Sequence, residues 1–138
     1  FFEENGIKTI EILNNNCRLY GDVAVCGTRG WFYEEERGGE HDKKIMLREL
    51  GRLETSLKCA GEREKLVFLH YPPKFANYEC REFIELMESY GVRECYYGHI
   101  HSAGCPMAFQ GVKNGVTFRL VSADWLQFRP FLVRDYSR

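Results

Sequence analysis

Short apolar runs alternate with longer segments patterned at helical period, and this alternation restricts the fold more than any other feature of the chain. Val23-Ala24-Val25-Cys26, Leu66-Val67-Phe68-Leu69 and Glu94-Cys95-Tyr96-Tyr97 each have the length of a strand. The first two are apolar on both faces, which suits strands covered on both sides. Between them, Met46, Leu50, Leu53, Leu57 and Ala60 recur every three or four residues and form one helical stripe. Arg48, Glu49, Arg52, Glu54 and Lys58 fall on the other faces, with Asp42 expected at the N-cap and Gly61 at the stop. A second helix is expected from Tyr78 to Tyr90, with Phe83, Leu86, Met87 and Tyr90 inward and Gly91 as the C-terminal cap. Strand, helix, strand, helix, strand implies an α/β fold with parallel pairing and crossover helices.

The flanking segments read as additional strands. Ile7 to Leu13 alternates in part and is ended by Asn14-Asn15-Asn16, a turn-favouring cluster. Arg18 to Tyr20 reads as a second strand, followed by a tight turn at Gly21-Asp22. Gly27 to Trp31 reads as a loop, and Glu34 to Glu40 as a solvated one. Asn114-Gly115 signals a C-terminal hairpin between strands at Met107 to Val112 and Val116 to Val121. Phe131 to Val133 is expected as an edge strand. Without repeats, low-complexity tracts or a linker, residues 1–138 read as a single domain with a mixed sheet.

Composition excludes several classes. A net charge of -1 gives no electrostatic case for nucleic acid or a membrane surface. No apolar run approaches the roughly 20 residues of a membrane span. The first residues, Phe1-Phe2-Glu3-Glu4-Asn5, lack the basic start of a signal peptide. The chain begins with Phe, so it is read as a processed, cloned or truncated piece. Cys17, Cys26, Cys59, Cys80, Cys95 and Cys105 form no Cys-x-x-Cys pair and several lie in apolar runs. They are read as reduced thiols of a cytoplasmic protein, with a secreted disulfide framework as the alternative. Oligomeric state is not legible.

The chemistry concentrates in Gly98-His99-Ile100-His101. In an extended backbone His99 and His101 point to one side, and neutral imidazole is the commonest metal ligand. His70 ends the strand of Leu66 to Leu69, and its two following prolines cannot continue a ladder. If the strands are parallel, about 4.8 Å apart, His70 and His99 lie at the same carboxyl edge. They can then share one ion at about 2.0–2.1 Å each. Thr28 and Arg29 should reach that edge from the first strand, where an arginine can clamp a phosphate or make a structural salt bridge. Asp124, after the hairpin, can orient a histidine from behind or serve a cap or turn. His41 stands apart, as a solvent-facing cap residue. A rival set, Cys95, His99, His101 and Cys105, is close enough in sequence for a four-ligand structural zinc site.

Gly98-His99-Ile100-His101 resembles the closing Gly-His-x-His motif of the calcineurin-like metallophosphoesterases, and Phe68-Leu69-His70-Tyr71-Pro72-Pro73 resembles their preceding lone-histidine motif. Gly27-Thr28-Arg29-Gly30-Trp31 and Leu120-Val121-Ser122-Ala123-Asp124 are similar to stretches in a bacterial branch of predicted phosphohydrolases. The resemblance spans nearly the whole chain. It implies a sandwich of two mixed sheets flanked by helices, and two divalent metal ions (Mn, Fe or Zn) that activate water against a phosphate-ester substrate. It further implies that His70 and His99 bind one metal and His101 the other. The family's earlier motifs, Asp-x-His, Gly-Asp and Gly-Asn-His-Asp/Glu, have no match here, and the residues flanking Gly21-Asp22 do not fit. The resemblance is therefore to the C-terminal half of such a domain, a fragment expected to be inactive alone and to bind metal weakly. The alternative is a non-catalytic interaction domain.

Overall fold

The computed structural model describes residues 1–34 and 38–135. Part of the expected loop from Glu34 to Glu40 lies outside the described residues. Among the described residues eight strands occur in the order β1 (Cys17–Tyr20), β2 (Val23–Thr28), β3 (Glu64–Leu69), β4 (Lys74–Phe75), β5 (Tyr78–Glu79), β6 (Glu94–Tyr97), β7 (Gly111–Lys113) and β8 (Val116–Leu120). Helix α1 (Glu40–Cys59) connects β2 to β3, and α2 (Arg81–Ser89) precedes β6. Six strands form one mixed sheet in the order β1-β2-β3-β6-β8-β7. Its central four, β2, β3, β6 and β8, are mutually parallel, while β1 and β7 close the edges as antiparallel hairpin partners.

The turns follow from their residues. Gly21 adopts φ 60° in the two-residue loop joining Tyr20 to Val23, and Asn114 and Gly115 adopt φ 49° and 74° between Lys113 and Val116. Positive φ lets a two-residue loop follow the twist of its strands. At the end of α2, the Gly91 N–H donates to the Glu88 carbonyl and Val92 N–H to Met87, both at 2.9 Å, a closed C-terminal cap. Gly27 is required for a steric reason. A Cβ there would lie 2.0 Å from the carbonyl oxygen of Phe68 on the neighbouring strand.

Both helices cover one face of the sheet. Met46, Leu53 and Leu57 of α1 and Phe83, Ile84 and Met87 of α2 pack on Cys26, Val67, Cys95, Tyr97 and Phe118. The opposite face carries a smaller cluster, Val23, Leu66 and Tyr96, touched by Phe68, Val121 and Val133.

Five expectations change. No strand forms over residues 7–13, where Ile10 and Ile12 are exposed and pair with no strand among the described residues. No strand forms at Phe131 to Val133. Helix α1 starts at Glu40 with Gly39 at its N-cap, and Asp42 instead accepts the Trp31 Nε1–H at 3.3 Å. Helix α2 starts only at Arg81, because Tyr78 and Glu79 are drawn into a two-stranded ribbon with Lys74 and Phe75. The Tyr78 hydroxyl is also engaged, accepting the Tyr33 N–H and donating to the Trp31 carbonyl. The strand expected from Met107 starts only at Gly111: Met107 ends a 3-10 turn over Ser102–Met107, and Ala108 makes a single bridge to Phe75, leaving β7 three residues.

Candidate metal centre

Backbone bonds beyond the strands carry the sheet order out to its carboxyl edge. His70 and Tyr71 N–H groups both donate to the Arg29 carbonyl, Gly98 N–H donates to Leu69, and Val121 N–H donates to Tyr97. The segments after β2, β3, β6 and β8 are thus laid side by side, and Arg29, His70, His99, His101 and Asp124 all leave from this edge.

His70 Nε2 and His99 Nδ1 are 3.0 Å apart, their rings crossing at 74°. Two nitrogens each about 2.05 Å from one ion and at right angles would lie about 2.9 Å apart. The route to this closeness is not an extended backbone. His99 has φ 68°, and the Ile100 N–H donates back to the Gly98 carbonyl at 2.8 Å. This is a γ-turn of the positive-φ kind, rare and strained for a residue with a side chain. The turn brings His99 against His70, while His101 pairs with Asp124.

His101 Nδ1 meets Asp124 Oδ1 at 2.9 Å. The second carboxylate oxygen of Asp124 accepts the Ser102 N–H at 2.7 Å, and Oδ1 also accepts the Trp125 N–H. These bonds, the Ser102 N–H first and then His101, hold the Asp124 carboxyl below the usual carboxylate range. Burial, followed by the neighbouring charges of His70 and His101, holds His99 below the ordinary histidine value, which favours the neutral imidazole.

An aromatic wall backs the histidine pair. The Tyr71 ring lies 4.3 Å from that of His99 and 4.8 Å from that of His70, and Trp31 packs edge-on against Tyr71. The Arg29 guanidinium sits 4.6 Å over the Trp31 ring.

Thr28 is not available to a ligand. It is buried, and its hydroxyl donates to Glu49 Oε2 at 2.7 Å. Glu49 is fully buried, and its Oε1 meets Arg52 at 2.7 Å and Arg29 at 3.5 Å. Arg29 therefore makes the salt bridge that was one of its two readings, while staying half exposed. Glu49 was expected on an outer face. Its spacing from Met46 and Leu53, three and four residues, was the signal that it belongs on the inner one. Ser122 was also missed. Its hydroxyl is buried beside Gly98 with no hydrogen-bond partner among the described residues.

The four-ligand zinc set is not assembled. Cys95 lies fully buried in the helix-covered core, its thiol pushed up by burial, and the Cys105 thiol donates to the Ile100 carbonyl. His41 is exposed in the first turn of α1, but Gly39 caps the helix. Among the described residues, no group of three or more His, Cys, Asp or Glu side chains is arranged to hold a metal ion. No helix among them is long and apolar enough to cross a membrane. Set against protein-family models, curated proteins and solved structures, the chain matches none.

Proposed function

We propose that this chain carries the histidine half of a metal-dependent phosphoesterase centre and lacks phosphatase activity by itself. The observation that supports this most is the 3.0 Å approach of His70 Nε2 and His99 Nδ1 at the carboxyl edge of a parallel sheet. Two imidazoles fit part of the coordination sphere of Mn, Fe or Zn, and no third ligand joins them among the described residues. His101, with Nδ1 held by Asp124, keeps Nε2 for a second cation, the pattern in which a carboxylate fixes the tautomer of a ligating histidine. When bound, divalent ions make a coordinated water acidic and stabilise charge on a phosphoryl group. Arg29 provides further positive charge for a phosphate-ester substrate, steadied by Glu49 and Trp31. The half-sandwich architecture belongs to the same proposal. One sheet face is covered by helices, while the other carries a smaller apolar cluster, Val23, Leu66 and Tyr96, that no helix covers among the described residues.

Calorimetric titration of the 138-residue protein with Mn²⁺ and Zn²⁺ tests the reading. Weak binding is expected, abolished in His70→Ala and His99→Ala, with no turnover of p-nitrophenyl phosphate. Enzyme-like turnover would sink the claim of inactivity. Binding that survives both histidine substitutions would sink the site. The second reading, a non-catalytic interaction domain, draws on the exposed apolar side chains of Phe128 and Leu132 and predicts no cation binding at the histidines.

A further inference from the structure

Three cysteines lie where the last turn of α1 crosses the edge of the sheet. Cys17 and Cys26 are directly opposite each other on the antiparallel strands β1 and β2. Ser56 of α1 locks the helix onto them. Its hydroxyl donates to the Asn16 carbonyl at 2.5 Å and accepts the Gly27 N–H at 3.0 Å, and its carbonyl accepts the Cys26 thiol. Cys59 lies three residues further on, hence on the same face of α1, one turn beyond the point where Ser56 holds Asn16, the residue before Cys17. Cys17 is 7% exposed, whereas Cys59, the last residue of the helix, is open to solvent.

We infer that Cys17 and Cys59 form an oxidisable dithiol, in which Cys59 reacts first with a peroxide and Cys17 resolves it to a disulfide. The division of roles follows from access and from protonation. Only Cys59 can meet a dissolved oxidant, and Cys17, its thiol pushed up to about 11 by burial and by Cys59, is the partner that keeps its proton. The Cys59 thiolate attacks one oxygen of hydrogen peroxide, the O–O bond breaks and hydroxide leaves, giving a sulfenic acid. The Cys17 sulfur then attacks the Cys59 sulfur. The S–O bond breaks, and the departing hydroxide takes the Cys17 proton as water. Two thiols are oxidised by two electrons and one peroxide is reduced to two waters. The bond ties the end of α1 to edge strand β1, whose only strand partner among the described residues is β2. Cys26 has its own acceptor in Ser56 and stays reduced.

The test treats the whole chain with hydrogen peroxide and reads intact mass, then maps peptides without reduction. Loss of two hydrogens, with the peptides of Cys17 and Cys59 joined and released by dithiothreitol, is expected in the wild type and in Cys26→Ser. Cys59→Ser, an exposed substitution that leaves the core intact, should form no cross-link. Cys17→Ser should instead accumulate a Cys59 sulfenic acid that dimedone traps. A Cys17–Cys26 link, a link that persists in Cys59→Ser, or recovery of both cysteines as free thiols after treatment would overturn the inference.

Discussion

Two polar clusters lie near one another at the carboxyl side of the sheet, and they are built on opposite principles. Around Glu49 a fully buried carboxylate is matched by Thr28, Arg52 and Arg29, so each of its oxygens has a partner. Around His99 the groups are partly exposed, the backbone is strained at φ 68°, and the closest partner of each imidazole in the pair is another imidazole. The first arrangement stabilises a fold, because a buried charge without partners costs several kcal/mol. The second is held in place by the fold and adds little to it. Retained strain at a surface site is an observation from which a chemical role is proposed.

The largest test of the contrast is Glu49→Ala. Thr28 would lose the acceptor of a buried hydroxyl and a cavity would open, while Arg29 and Arg52 can turn to water. A loss of about 3 kcal/mol is expected in urea unfolding. His99→Gly should go the other way. Glycine accepts positive φ without strain, so stability should hold or rise by up to about 1 kcal/mol while cation binding disappears. If His99→Gly destabilised the protein as much as Glu49→Ala, the division between a structural and a chemical cluster would fail.

The same pair of clusters shows what a sequence can disclose. The apolar stripe of α1 is legible because Met46, Leu53 and Leu57 repeat at helical spacing, and the parallel order of β2, β3 and β6 follows from the crossovers. From that order the meeting of His70 and His99 could be expected. Glu49 was misplaced because charge suggests an outer face, and only its partners, distant in sequence, make burial tolerable. The γ-turn at His99 was invisible, since nothing in Gly98-His99-Ile100 encodes a positive φ on the histidine rather than on the glycine. Ile7 to Leu13 has the alternation of a strand, yet a strand needs a neighbour, and pattern alone does not provide one. Asp124 was legible in position, at the end of the hairpin's return strand, but its three bonds to His101, Ser102 and Trp125 depend on the turn that follows.

Asp124→Asn sharpens the comparison within the chemical cluster. The amide loses the charge that fixes His101, although it can still accept the Ser102 N–H. Affinity for a cation involving His101 should fall about 10-fold, at the lower end for such supporting carboxylates, and stability should change by less than about 1 kcal/mol. Equal losses in both would place Asp124 with Glu49 as a structural residue.

The smallest expected effect is the share of the acid-side pH slope that His99 contributes. Burial, with the charges of His70 and His101 nearby, keeps His99 below the ordinary value of 6.5 in the folded protein. In the unfolded chain the same imidazole titrates at about that ordinary value. As pH falls through it, the unfolded state takes up a proton that the folded state does not, so the unfolded state gains stability and the protein loses it. The loss continues until pH passes the lowered folded value, below which both states carry the proton and His99 adds no further slope. Urea unfolding between about pH 7 and pH 5 should therefore show a steeper acid-side decline in the wild type than in His99→Gly, since the substitution removes that proton difference. Parallel curves for the two proteins would mean that His99 is not held neutral by its neighbours. The imidazole pair would then lack the protonation state that a cation requires.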